Sequence, residues 1–129
     1  MKVSDIMYTK LYTIEHDASV LKAAQKMHDH QIGSLLVEKH GEKIGIVTDR
    51  DIVRKVVTKD KKSSEVAVND IMNSPIITVD KNKDVMAAVD LMIKKNIKRV
   101  LVVHAGEIVG IVSTRLIAKY MKKMLRKTS

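Results

Sequence analysis

The chain has 129 residues, of which 45% are hydrophobic and 30% charged, with no cysteine and a formal net charge of +9 at pH 7. This length suffices for a compact domain with a real core, and the lack of cysteine excludes disulfides, zinc–thiolate sites and a thiol nucleophile. Its apolar runs are too short for a membrane span, and MKVSDIM places Asp5 where a signal peptide needs apolar residues, so we expect a soluble, cytoplasmic protein.

The first half of the chain alternates between strand and helix periodicity. The stretch LYTI at 11–14 predicts a short strand. Apolar residues at helical spacing then predict an amphipathic helix over 19–30: Val20, Ala23, Ala24 and Met27. Two strands, SLLVE and KIGIV, follow with a turn at His40-Gly41, where glycine takes positive φ without steric cost. A second helix begins at Thr48.

The second half repeats this order. A shift of 65 residues aligns the chain with itself without a gap, as when Asp5-Ile6-Met7 falls on Asp70-Ile71-Met72. The corresponding elements are strand IITV at 76–79, a helix over 84–95, strands RVLVV and EIVGIV with a turn at Ala105-Gly106, and a helix from Ser113. We therefore predict an α+β fold of tandem β-α-β-β-α repeats, residues 1–58 and 67–129, joined by a polar linker at 59–66.

Neither repeat is long enough to be comfortably stable alone, since domains of about 60 residues are marginal. We therefore expect the apolar strand faces and helix stripes to pack copy against copy about a pseudo-two-fold axis. Such packing creates a cleft, and ligands commonly bind in clefts between packed units.

The helix starts differ between the two copies. Residues 45–51 read GIVTDRD and residues 110–116 read GIVSTRL. Thr48 and Asp51 have the spacing of a capping box, although Glu or Gln is usual at the second position, and Leu116 cannot complete a box begun by Ser113. Alternatively, the hydroxyl and the free N–H groups of the helix start suit a phosphate, and the carboxylate of Asp51 suits ribose hydroxyls. Both interpretations are open at this point.

The tandem repeat, the Asp-Ile-Met tripeptides and the Gly-hydrophobic-hydrophobic-Thr/Ser-x-x-Asp stretch resemble a pair of CBS domains, the Bateman module. The resemblance covers nearly the whole chain. It implies a non-catalytic regulatory module that forms a homodimer and requires no cofactor. Its ligand would be an adenosine-containing compound, AMP, ADP, ATP or S-adenosylmethionine, bound in the cleft between the repeats.

The resemblance also implies particular ligand-binding residues. The family's ribose-binding carboxylate falls on Asp51 and its hydroxyl on Thr48, in the stretch that also contains Ile46. The partner repeat would supply contacts to the base and the phosphates: Met72, Ile77, Ile97, Lys98 and Arg99. Because the second copy has Leu116 in place of the carboxylate, we expect only a degenerate site at Ser113 and Arg115.

Other groupings of polar residues do not predict a metal site or an active site. Asp49 and Asp51 stand two residues apart on a helix, so their side chains point in nearly opposite directions. His28 and His30 lack a third ligand. No Ser, His and Asp grouping has a nucleophile setting such as a glycine-flanked elbow. We therefore predict a protein that is not an enzyme and holds no metal.

The last helix, STRLIAKYMKKMLRKTS, is basic and amphipathic. Residues 1–93 carry 14 basic and 14 acidic groups, whereas residues 94–129 carry 10 basic groups and one acid, Glu107. This asymmetry indicates an anionic partner, and the alternative function is a nucleic-acid-binding protein or a protein scaffold that uses this quarter of the chain. A solvated lysine face is the commoner explanation, and three tyrosines are few stacking platforms, so the sequence favours nucleic acid less.

Overall fold

The computed structural model describes residues 1–128, with side chains described through Arg126. It contains two compact units. The first-sheet unit comprises Tyr12–Ile76, and the second-sheet unit comprises Met1–Leu11 together with the chain from Ile77 onward. Each unit therefore combines most of one repeat with the segment that leads into the other. We call residues 1–11 and 66–76 the leading segments.

The first-sheet unit contains three strands and two α-helices. The strands are β1 (Thr13–Glu15), β2 (Ser34–Lys39) and β3 (Glu42–Thr48), in the sheet order β1-β2-β3. The helices are α1 (Val20–His30) and α2 (Asp49–Ile52), and α2 continues as a π-helical turn over Val53–Val57. Strands β1 and β2 are parallel, whereas β2 and β3 are antiparallel.

The second-sheet unit has the same arrangement. Its strands are β4 (Thr78–Asp80), β5 (Arg99–His104) and β6 (Glu107–Ser113), and its helices are α3 (Val85–Lys95) and α4 (Thr114–Thr128). Pairing registers correspond at the 65-residue shift, for example Ser34 opposite Thr48 and Arg99 opposite Ser113. The predicted α+β fold of tandem repeats is thereby confirmed.

Local sequence signals account for the ends of the helices and for the turns. Ser19 caps α1 by accepting the N–H of Lys22, and Asp84 caps α3 by accepting that of Met86. In each hairpin two consecutive residues have positive φ, 51° and 80° at His40-Gly41 and 50° and 79° at Ala105-Gly106. Two positive φ values match the right-handed twist of the flanking strands.

Each unit has its own hydrophobic core. The first-sheet core buries Val20, Ala23, Met27, Leu35, Val37, Val47, Val56, Val68 and Ile71. The second-sheet core buries Val3, Val79, Ala88, Met92, Val100, Val102 and Val112. The apolar helix stripes therefore lie in the cores of their own units.

Each leading segment completes the core of the unit that it joins. Val68 and Val3, which correspond at the 65-residue shift, are both fully buried. The N–H of Val68 donates to the carbonyl of Ala18 at 2.8 Å, and that of Val3 donates to the carbonyl of Lys83 at 2.8 Å. Within the described residues, none of the helices combines the length and the apolarity needed to cross a membrane.

Candidate functional site

The site begins where β3 passes into α2. Thr48 has extended backbone angles, φ −121° and ψ 163°, and its Oγ1 accepts the N–H of Asp51 at 3.2 Å. In return Oδ2 of Asp51 accepts the N–H of Thr48 at 2.9 Å, so the capping box is complete. The Thr48 hydroxyl also donates to Oδ2 at 3.0 Å. Aspartate thus closes the box although its side chain is shorter than that of the usual Glu or Gln.

Asp51 is also held by groups outside the capping box. Asp51 is only 8% exposed, and among the residues that the structure describes it is the only charged one that is buried. Nδ2 of Asn73 donates to Oδ2 at 2.8 Å, and Nζ of Lys55 lies 3.3 Å from Oδ1. A buried carboxylate is costly unless it is paired and hydrogen-bonded, and these partners meet that requirement. We call Thr48, Asp51, Lys55 and Asn73 the Asp51 cluster.

The leading segment 66–76 brings Asn73 to this cluster. The backbones of Asn73 and Ile46 exchange two hydrogen bonds, of 2.8 and 3.0 Å, and the Ser74 hydroxyl donates to the carbonyl of Ile44 at 2.7 Å. Lys55 Nζ also donates to the carbonyl of Ile71 at 2.8 Å. The segment therefore lies along β3 and beside the helix that follows it.

Gly45 permits this close approach. A Cβ atom at position 45 would lie 2.7 Å from Sδ of Met72 and 2.8 Å from the carbonyl oxygen of Asn73. In the second-sheet unit a Cβ at Gly110 would lie 2.6 Å from Sδ of Met7. The glycine shared by GIVTDRD and GIVSTRL is therefore required by the leading segment that packs on it.

The equivalent place in the second-sheet unit has no such carboxylate cluster in the part of the chain that the structure describes. Ser113 keeps the cap, since its Oγ accepts the N–H of Leu116 at 3.1 Å. At the 65-residue shift, Asp51 corresponds to Leu116, Lys55 to Tyr120 and Asn73 to Tyr8. All three charged or amide members are replaced together, while the backbone pairing survives between Tyr8 and Ile111.

The residues predicted from the sequence fall into two groups. Ile46, Thr48, Asp51 and Met72 belong to the first-sheet unit. The others belong to the second-sheet unit: Ile77, Ile97, Lys98, Arg99, Ser113 and Arg115. There Arg99 pairs with Ser113 across β5 and β6, and the carbonyl of Lys98 accepts the N–H of Thr114 at 3.0 Å.

Sequence reasoning missed Lys55 and Asn73. Lys55 stands four residues after Asp51, a spacing at which helical side chains meet, so this pair could have been found. Asn73 follows Asp51 by 22 residues, and no periodicity in the sequence links the two. The only available signal was that Asn73, like Asp51 and Lys55, has an unlike counterpart in the other copy.

The chemistry of the cluster is that of a hydrogen-bond acceptor beside a cation. The carboxylate oxygens of Asp51 can accept hydroxyl or amide donors, and the ammonium of Lys55 can face an anionic group. Among the residues whose structure is described, three or more His, Asp or Glu side chains nowhere gather as a metal ion would require.

Comparisons with known proteins agree on one family. The sequence profile described as CBS domain matches twice, at residues 3–58 and 68–123. An uncharacterized protein of Methanopyrus kandleri is 38% identical over 115 residues, which are 88% of this chain and 59% of that protein. The chain therefore spans less than two thirds of the length of this relative.

Solved structures show the same likeness. A putative signal-transduction protein with CBS domains from Burkholderia ambifaria superposes with a TM-score of 0.89 at 27% identity, over 94% of this chain and 93% of that one. The CBS domain pair of protein MJ0100, solved in complex with 5′-methylthioadenosine and S-adenosyl-L-methionine, gives a TM-score of 0.83 at 30% identity. That alignment covers 96% of this chain and 98% of the other.

Proposed function

The chain belongs to the CBS domain family and carries a CBS-domain pair, a regulatory module, and on that premise we propose that it binds an adenosine-containing ligand through Asp51. The observation that carries the proposal is a buried carboxylate at the start of a helix, supported by hydroxyl, amide and ammonium groups. Likeness to a CBS-domain pair solved with two adenosyl compounds supports this ligand class. The candidates are AMP, ADP, ATP and S-adenosylmethionine.

Each predicted residue has a role in this proposal. The carboxylate of Asp51 accepts a ribose hydroxyl, and the Thr48 hydroxyl and Ile46 lie beside it. Contacts to the base are assigned to the apolar residues Met72, Ile77 and Ile97, and contacts to phosphate to Lys98 and Arg99, whose cationic groups form charge-assisted hydrogen bonds. These five assignments rest on the resemblance.

We propose one competent site for each chain. Ser113 and Arg115 mark the second, degenerate position, where Leu116 offers no acceptor for a ribose. The module is proposed to act without catalysis, as a cytoplasmic homodimer that regulates another protein. A ligand can shift such a module only to the extent that it binds one conformation more tightly than another.

Calorimetric titration with AMP, ATP and S-adenosylmethionine tests the proposal. We expect saturable binding of at least one compound, and Asp51→Ala is expected to weaken it by about 1 to 3 kcal/mol through loss of a charged hydrogen bond. Ser19→Ala is the matched control, because it removes a helix cap that lies outside the predicted site residues. It is expected to leave the affinity unchanged.

Two outcomes would contradict the proposal. If no adenosyl compound binds saturably, Asp51 does not bind a ligand of this class. If Asp51→Ala lowers the free energy of unfolding but leaves the affinity unchanged, its role is confined to the capping box. The alternative function draws on α4, whose 15 residues include no acid. It would be favoured by nucleic-acid binding that weakens steeply as the salt concentration rises.

A further inference from the structure

We infer that Asn73 and the ligand compete for the same oxygen of Asp51, so that binding frees the leading segment 66–76 from its side-chain tie to α2. The inference rests on the proposed function for the class of ligand and adds how occupancy of the site is communicated. It also assigns roles to Asn73 and Lys55, neither of which the ribose site by itself requires.

The first step concerns the hydrogen-bonding capacity of the carboxylate. Oδ2 of Asp51 already accepts three donors: the N–H of Thr48 at 2.9 Å, the Thr48 hydroxyl at 3.0 Å and the Asn73 amide at 2.8 Å. An ionised carboxylate offers about four lone-pair sites over its two oxygens, so Oδ2 has no further site to offer. Oδ1 is the less occupied oxygen and faces Lys55 at 3.3 Å.

The second step identifies the donor that can leave. A ribose presents two neighbouring hydroxyls, and to engage both oxygens of Asp51 it must take a place at Oδ2. Loss of the Thr48 donors would open the capping box that starts α2. Asn73 is exposed, and its backbone stays paired with Ile46, so its side-chain amide can turn to water at small net cost. Asn73 is therefore the donor that a diol displaces.

The third step concerns Lys55, which makes the second tie. Its ammonium bridges Oδ1 of Asp51 and the carbonyl of Ile71, so it joins the same carboxylate to the same leading segment. A ligand hydroxyl at Oδ1 meets this ammonium directly. Both side-chain ties between the segment and the α2 region thus converge on the Asp51 carboxylate, where the proposed ligand binds.

The second-sheet unit provides an internal control for the proposed release of the leading segment. In the second-sheet unit the leading segment 1–11 keeps the backbone pairing of Tyr8 with Ile111, at 2.9 Å in both directions. The side chains at the corresponding positions, Tyr8, Leu116 and Tyr120, include no amide, carboxylate or ammonium group. We therefore expect this leading segment not to respond to the ligand.

The first test is calorimetric titration of AMP and S-adenosylmethionine into the wild type and Asn73→Ala. Removing the competing amide is expected to tighten binding by roughly 2- to 12-fold, which corresponds to the small net cost of displacing one hydrogen bond. Weaker or unchanged binding by Asn73→Ala would overturn the inference while leaving the proposed function standing. Absence of binding by both proteins would overturn both.

The second test needs no substitution. Amide hydrogen exchange of the wild type is compared with and without saturating AMP or S-adenosylmethionine. The backbone pair of Asn73 and Ile46 should open more often once the side-chain hydrogen bond is lost, so their N–H groups are expected to exchange several-fold faster in the complex. The N–H groups of Tyr8 and Ile111 are the internal reference and should not change. Slower or unchanged exchange at Asn73 in a complex that forms would overturn the release of the segment.

Discussion

Gly45 illustrates at the residue scale how the leading segment selects an amino acid in the binding stretch. A side chain at this position would meet the carbonyl oxygen of Asn73 at 2.8 Å, and a backbone atom cannot move aside cheaply. Overpacking of this kind typically costs about 1 to 3 kcal/mol. We therefore expect Gly45→Ala to lower the free energy of unfolding by that amount in urea denaturation.

Gly41→Ala is the matched control for this substitution. Gly41 has a φ of 80°, and a Cβ built there would meet nothing within 4 Å, so alanine suffers backbone strain without a clash. Both variants should be destabilised, but only Gly45→Ala should speed amide exchange at Asn73, which packs on position 45. Unchanged exchange at Asn73 would show that the leading segment does not need the glycine.

The same scale shows which part of the site the sequence predicts. Asp51 stands out because GIVTDRD has a carboxylate where GIVSTRL has a leucine, and a carboxylate at this place can be assigned a chemical role. No chemical role could be assigned to Asn73 from the sequence, because its contact with Asp51 depends on where the leading segment pairs with β3. Such long-range placement follows from tertiary packing rather than from local periodicity.

At the scale of single elements, the corresponding helices α1 and α3 begin with chemically different caps. Ser19 caps α1 with a neutral hydroxyl, whereas Asp84 caps α3 with a carboxylate. The pKa of Asp84 is lowered, first because its carboxylate accepts the Met86 N–H and also because it pairs with the amino group of Met1. The start of α3 should therefore respond to acid, whereas the start of α1 should not.

Urea denaturation at pH 7 and pH 3 measures this response. A depressed folded-state pKa means that the ionised carboxylate stabilises the fold above its unfolded pKa of about 3.9, and that this contribution is lost as the pH falls through the lower folded value. Asp84→Asn keeps a capping side chain without the charge, so its deficit relative to wild type should shrink at pH 3. The deficit of Ser19→Ala should be equal at both pH values; an equal deficit of Asp84→Asn would refute the charge effect.

Helices were more predictable than short strands. The periodicity predicted helices over 19–30 and 84–95, and the structure has them over Val20–His30 and Val85–Lys95, with the first predicted residue acting as the cap in each case. The strand predicted at 11–14 lies instead at Thr13–Glu15. Its ends depend on pairing with β2, which a stretch of three residues does not encode locally.

At the scale of the whole molecule, the boundaries of the sequence repeats differ from the boundaries of the compact units in the structure. Duplication is visible in the sequence because residues correspond at a constant shift of 65. Exchange of the leading segments is not visible, because either copy of the Asp-Ile-Met tripeptide could complete either sheet. The burial of Val68 and Ile71 in the first-sheet core reveals which one does.

This exchange predicts how fragments of the chain fold. A fragment of residues 12–76 contains every buried member of the first-sheet core, whereas one of residues 1–58 lacks Val68 and Ile71. At about 60 residues a domain is marginal, so loss of two core side chains is decisive. We expect a cooperative urea transition followed by circular dichroism for fragment 12–76, and none for 1–58.

Two controls show whether the leading segment is the cause. Val68→Ala within fragment 12–76 should lower the free energy of unfolding by about 1 to 3 kcal/mol, since it leaves a cavity at a fully buried position. Adding a peptide of residues 59–76 to fragment 1–58 should restore helical signal in a saturable manner, because the peptide supplies the missing side chains. A cooperative transition of fragment 1–58 alone would instead mean that a single repeat folds independently. The leading segment 66–76 would then not be needed for folding.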